Sequence, residues 1–305
     1  MADINISFII SLMIIGLGYI SKKTKIVKES DGEGIARIIF NFTLPALVLT
    51  AFSNVKIDVS LLLLPVINIL FALFMTFIGM FLFKNMNIRD KGMSIMLIAG
   101  FNIGLFAYPI IEMIWGNEGL KYFGMFDVGN AFIVFGTNYI IANIYSNSMG
   151  EKIDYKKILK KVFTSIPFLT YILALFMAVF QLSLPGILKN MVLIISKANM
   201  PLSLILLGIY LTFNLNKENI KKMLKILMIR YGFGIVFGVL MFLIFPFGEL
   251  FRITLLLGLI MPISLAVIPY SVEFNYDKSF VGTINTFTII ISFLLIWLGT
   301  FYITS

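Results

Sequence analysis

The chain has 305 residues, 60% of them apolar and 13% charged, and a mean hydropathy of +1.00. Soluble domains carry about 25% charged residues, so this composition excludes a soluble enzyme, a secreted scaffold, a nucleic-acid binder and a disordered tail. The net charge of +9 reads as the basic loops of a membrane protein, and the lack of Cys and His removes disulfides, thiol catalysis and the commonest metal ligand.

Apolar runs long enough to cross a bilayer predict ten spans, at about 4–21, 34–53, 59–83, 92–115, 119–145, 163–184, 192–214, 224–247, 253–274 and 279–303. The first run follows an acid, Asp3, and precedes no small-residue cleavage site, so it is read as a span rather than a signal peptide. Span two contains Leu44-Pro45-Ala46-Leu47. Span four contains Gly100-Phe101-Asn102-Ile103-Gly104, then Pro109. Span five carries Asp127, Asn130, Val134 and Asn138 near one face. Span nine holds Pro262, Ser264 and Pro269, and span ten has the neutral stripe Asn285, Thr288 and Ser292.

Loops alternate in charge. The odd ones hold seventeen Lys and Arg side chains: Lys22, Lys23, Lys25 and Lys28; Lys84, Arg89 and Lys91; Lys152, Lys156, Lys157, Lys160 and Lys161; Lys217, Lys221, Lys222 and Lys225; Lys278. The even ones hold four, Lys56, Lys121, Lys189 and Arg252. Odd loops are therefore expected in the cytoplasm, with both termini extracytoplasmic and the chain in the cytoplasmic membrane.

The second half echoes the first. Leu44-Pro45 falls opposite Met200-Pro201 at an offset of 156, and the segment from Asn102 to Pro109 falls opposite Pro262 to Pro269 at an offset of 160. An odd number of spans per half inverts the topology. The expected fold is an all-α membrane protein with ten transmembrane helices as two inverted five-helix repeats, 1–146 and 147–305, in which broken helices 4 and 9 cross. Proline and glycine interrupt helices. Matched interruptions in two halves point to a substrate site where half-helix N-termini attract an anion.

Asp127 lies about eight residues into its span, roughly 12 Å along the helix. A carboxylate there is either a structural group capped by its neighbours or a titratable group coupling proton binding to substrate binding. Glu112 lines the outer vestibule or reaches the interface. Lys197 snorkels or serves as a cation for the substrate. Arg37 and Arg230 are read as anchors at cytoplasmic helix ends, and Gly234 and Gly238 as marks of close helix packing.

Asn41-Phe-Thr-Leu-Pro45, Phe101-Asn-Ile-Gly-Leu-Phe-Ala-Tyr-Pro109, Trp115-Gly-Asn-Glu-Gly-Leu120, Phe126-Asp-Val-Gly-Asn130 and Met261-Pro262 resemble, in order, segments of the auxin efflux carrier family of permeases. Ala107 stands where that family has Gly, Pro269 is a second proline in span nine, and the loop between spans five and six is short. The resemblance implies ten helices in inverted repeats, a homodimer, and proton- or potential-coupled movement of a small carboxylate such as malate or malonate.

The residues and the resemblance together predict a secondary active transporter of a small organic anion, working by alternating access, with no enzymatic activity and no cofactor. Asn41, Asn102, Gly104, Pro109, Asn130, Pro262 and Ser264 are expected around the substrate and Asp127 at the coupling site. The alternatives at this stage are a sodium-coupled or uncoupled carrier of another solute on the same fold, and a channel. An intramembrane protease would need two catalytic aspartates or a Ser/His pair.

Overall fold

In hydrocarbon no water is present to bond a backbone N–H or C=O, so each apolar run must close its hydrogen bonds within itself. The computed structural model describes residues 2–53, 55–146, 156, 160, 163–214 and 217–304, and its elements are helical throughout, with no strand among the described residues. Lys152, Lys157 and Lys161, and the chain just beyond the predicted repeat boundary at 146, lie outside the described residues.

Helix α1 is Ala2–Lys23, α2 the continuous run Glu29–Ala51, and α3 Val59–Leu82. After α4 (Ile88–Ile98) comes α5, the 44-residue run Ile103–Ser146. Then follow α6 (Ile166–Val179), α7 (Gly186–Tyr210), α8 (Ile220–Ile244), α9 (Glu249–Gly258), α10 (Val267–Glu273) and α11 (Lys278–Thr304). Seven of these runs are long and apolar enough to cross a membrane: α1, α2, α3, α5, α7, α8 and α11.

Prolines account for some of the irregular turns. Pro45 and Pro109 each follow a widened, π-helical turn, Ile39–Thr43 and Ile103–Ala107. Proline offers no N–H to the turn before it and collides with the carbonyl there, and an extra residue in that turn relieves both problems. The predicted interruption of span four lies earlier than Pro109. Residues 99–102 leave the helix, with Gly100 at φ +78°. A Cβ on Gly100 would also lie 2.9 Å from Asn138 Nδ2, so both torsion and space require glycine. Gly116, at φ +57°, breaks α5 between the predicted fourth and fifth spans. In the second half residues 259–266 are non-helical around Pro262. Pro269 sits in the first turn of α10, where a helix N–H has no intrahelical partner to lose.

Water does not drive these helices together; close backbone approach does. A Cβ on Gly18 of α1 would lie 2.2 Å from the Ile205 carbonyl of α7, and one on Gly208 would lie 2.0 Å from the Ile15 carbonyl. Gly129 meets Pro65 of α3 in the same way, and Gly234 and Gly238 of α8 lie against Leu259 and Leu256. The predicted close packing of that glycine pair is present. Outward-facing apolar side chains such as Ile187, Ile194, Leu243 and Ile244, all more than 70% exposed, form a surface suited to lipid. At the lysine-rich end, Lys222 of α8 pairs with Asp90 of α4 at 2.8 Å.

Gly100→Ala is expected to lower the thermal unfolding midpoint in detergent by several degrees. Strain at this position is of order 1–3 kcal/mol, and the added methyl must displace Asn138. Gly116→Ala is strained by its own positive φ but displaces no neighbour, and so should shift the midpoint less.

Candidate functional site

The two interruptions meet. The Asn102 amide N–H donates to the Pro262 carbonyl at 2.9 Å, joining the break after α4 to the break after α9. Each break exposes backbone groups that hydrocarbon cannot satisfy, and the polar stripes identified in the sequence supply partners for them. In the first half, Asn130 forms a two-way amide pair with Phe101: the Phe101 N–H donates to Oδ1 at 2.8 Å and Nδ2 donates to the Phe101 carbonyl at 2.9 Å. Asn138 Nδ2 donates to the Ala99 carbonyl at 3.0 Å. In the second half, Asn285 Nδ2 donates to the Ile263 carbonyl at 3.2 Å, and the Ile263 N–H donates to Thr288 Oγ1 at 3.2 Å. Ser292 Oγ donates to the Ile260 carbonyl at 2.6 Å.

Arg230 requires a correction. It is not an anchor at a helix end but is 2% exposed, eleven residues into α8 and so about 15 Å from that helix's start. Its Nη1 donates to the carbonyls of Leu97 (3.3 Å) and Ile98 (3.1 Å), the last of α4. Its Nη2 donates to those of Gly100 (2.9 Å), Met261 (2.8 Å) and Pro262 (3.1 Å). The guanidinium carbon lies 4.8 Å from the centre of the Phe101 ring. Burying arginine in an apolar helix costs about 3 kcal/mol on insertion scales, whereas a hydrogen bond involving a charged group contributes about 1.5–3 kcal/mol. Five such contacts offset the burial. The helix, Ile220–Ile244, is shifted toward the N-terminus from the predicted span 224–247, so Arg230 lies near its centre.

Asp127, 6% exposed, accepts hydrogen bonds from three side chains on two helices, α5 and α6. Asn130 Nδ2 donates to Oδ1 at 2.8 Å, and Tyr108 Oη to Oδ2 at 3.1 Å. Tyr171 of α6 also donates to Oδ2, and the two tyrosine hydroxyls are 2.7 Å apart. The tyrosines were not singled out in the sequence. Tyr171 is one aromatic among many, and only the docking of α6 brings it to Asp127.

Of the other predicted site residues, Asn102 is 4% exposed, and its Nδ2 is buried without a hydrogen-bond partner. Gly104 is half-buried in the turn that restarts the helix, and a Cβ there would lie 3.2 Å from Leu44. Pro109 is buried next to Tyr108, and Pro262 lies in the second break. Ser264 is 8% exposed, its Oγ accepting from the Ala266 N–H at 3.3 Å. Asn41 does not join them: its side chain is exposed and donates to the Arg37 carbonyl at 2.7 Å. Lys197 is exposed and Glu112 half-buried. Two cavities of about 220 and 440 Å³ lie at the lysine-rich end, and neither is lined by a residue of the breaks.

The all-helical fold, its lipid-suited surface and seven membrane-length runs define a multi-pass membrane protein. The family model described as membrane transport protein matches residues 4–299, and the chain belongs to this family, that of the auxin efflux carriers. It is similar to an uncharacterized transporter of Methanothermobacter thermautotrophicus, 25% identical over 214 residues, 68% of each chain. It is also similar to one of Methanocaldococcus jannaschii, 26% identical over 213 residues, 67% of this chain and 68% of the relative.

Asn130→Ala is expected to destabilise the fold by about 2–4 kcal/mol, since it leaves a buried N–H and C=O of Phe101 unpaired. Asn102→Ala should be nearly neutral, its Nδ2 being unpaired already. Thermal unfolding of both variants in one detergent checks the contrast.

Proposed function

We propose that the chain is a secondary active transporter of a small organic anion, proton- or potential-coupled, with its substrate site at the junction of the two breaks. The observation that carries this reading is Asn102: a buried, unpartnered amide donor where the helix restarts at Ile103. The first N–H groups of a helix lack intrahelical partners and its dipole favours an anion there. Gly104, Ser264 and the Pro262 turn complete the surroundings, and Pro109 holds the restarted helix at its angle. The low exposure of Asn102 and Ser264 fits a conformation closed to both sides, as alternating access requires.

Ten spans in two inverted repeats, 1–146 and 147–305, are the architecture we propose. Gly116 divides the 44-residue run α5 in two, α4 with the first part of α5 makes a broken fourth span, and α9 with α10 makes a broken ninth. Further support comes from two contacts. Thr43 Oγ1 donates to Asn199 Oδ1 at 3.0 Å across a separation of 156. Asn102 meets Pro262 across a separation of 160. These separations equal the two sequence offsets, and residues related by a pseudo-two-fold axis touch each other only on that axis. The lysine-rich end is assigned to the cytoplasm by charge, leaving both termini outside.

Asp127 is the proposed coupling group. Three hydrogen bonds hold its carboxylate. A proton added to Oδ2 must turn one tyrosine hydroxyl away, which changes the links among α6, Tyr108 and Asn130. Asn130 also clamps Phe101 in the first break, so the change reaches the substrate site through one side chain.

Two measurements in proteoliposomes test the reading, with the substrate first chosen by a thermal-shift panel of mono- and dicarboxylates. Asn102→Ala is expected to raise apparent KM about tenfold or more, the loss of one charge-assisted hydrogen bond, and an unchanged KM removes the junction as the binding site. Asp127→Asn should abolish the pH dependence of uptake while counterflow continues, and retained pH dependence removes Asp127 from coupling.

A further inference from the structure

Carbonyl oxygens at the C-terminal ends of discontinuous helices form electronegative cages, and in secondary carriers such cages hold a coupling cation. In this protein one is assembled from the carbonyls of Leu97, Ile98 and Gly100 on one side and of Met261 and Pro262 on the other, and the guanidinium of Arg230 fills it. No carboxylate forms a salt bridge with Arg230 among the described residues, so its charge is received by backbone dipoles and the face of the Phe101 ring. Both terminal nitrogens donate to carbonyls and only Nε lacks a partner. A substrate carboxylate could therefore not take the bidentate fork of this arginine without displacing the contacts that hold the breaks together. That favours a positioning cation over a substrate ligand.

We propose that Arg230 is a tethered replacement for a mobile coupling cation: it occupies the carbonyl cage permanently, so that the protein neither binds nor requires Na⁺ there. This deepens the transport reading above and rests on it, since it excludes Na⁺ at this cage and leaves the proton and the membrane potential as drivers. The charge travels with α8 through every conformation. The empty carrier therefore keeps its two breaks joined, where a carrier with an exchangeable ion would lose that link whenever the ion left.

The test uses the purified full-length chain in detergent, without substrate, so its outcome is independent of whether the junction binds an organic anion. Thermal unfolding is followed in sodium, potassium and choline chloride at equal ionic strength. The wild-type midpoint should differ by less than about 1 °C among the salts, and stabilisation specific to Na⁺ overturns the proposal. In Arg230→Ala the cage is vacated. Its midpoint should fall, and should recover by more than about 2 °C with Na⁺ but not with choline, because a ligand of the native state raises stability. A variant that does not answer to Na⁺ overturns the proposal. Should Arg230→Ala yield no folded protein, Arg230→Lys decides: it is expected to fold and to ignore Na⁺, and either misfolding or a Na⁺ response overturns the tethered-cation role. A merely structural arginine would give no cation-selective recovery.

Discussion

The structure depends on satisfying backbone polar groups at depths where no water is available. Two helices stop inside the packed bundle, after Ile98 and after Gly258, and each leaves orphan carbonyls and amides. Asn130 and Asn138 serve the first break, Asn285, Thr288 and Ser292 serve the second, and Arg230 serves both. Without these side chains the breaks would cost several unpaired groups, each of order 1–3 kcal/mol.

The same side chains connect the breaks to a buried carboxylate. Asp127 is bonded to Asn130, Asn130 to both polar groups of the Phe101 peptide, and the Phe101 ring lies under the Arg230 guanidinium. The Phe101 ring is itself packed between Phe71 and Phe126, at 6.3 and 5.9 Å between ring centres. A rigid peptide held from three sides joins a carboxylate on one helix to a cation on another. One charge, Asp127, lies on α5 and the other, Arg230, on α8.

Much of the candidate site's framework was legible in the sequence because its signals are local. Pro45, Pro109 and Pro262 announce irregular turns through the missing N–H, and Asp127 stands out as an acid in an apolar run. The polar stripes at Asn130–Asn138 and Asn285–Ser292 were visible as patterns, although their partners were not. Asn41 matched a family motif, yet its position on the widened turn directs it to Arg37 rather than to the breaks. Arg230 was misplaced because its span was read from residue 224. The helix runs Ile220–Ile244, so the arginine stands eleventh of 25 residues and two from the helix midpoint.

Composition and proline placement, read along the chain, were sufficient to assign it to a bilayer and to locate its interruptions to within a few residues. Both follow from properties of neighbouring residues: the length of an apolar run against the hydrocarbon thickness, and the geometry of the proline ring. Which polar atom answers which orphaned backbone group was decided only by packing. The partners stand 29 residues apart for Asn130 and Phe101, 44 for Tyr171 and Asp127, and 133 for Arg230 and Leu97. Separations of that size carry no periodic signal, so the pairings arise only once the helices have found their neighbours.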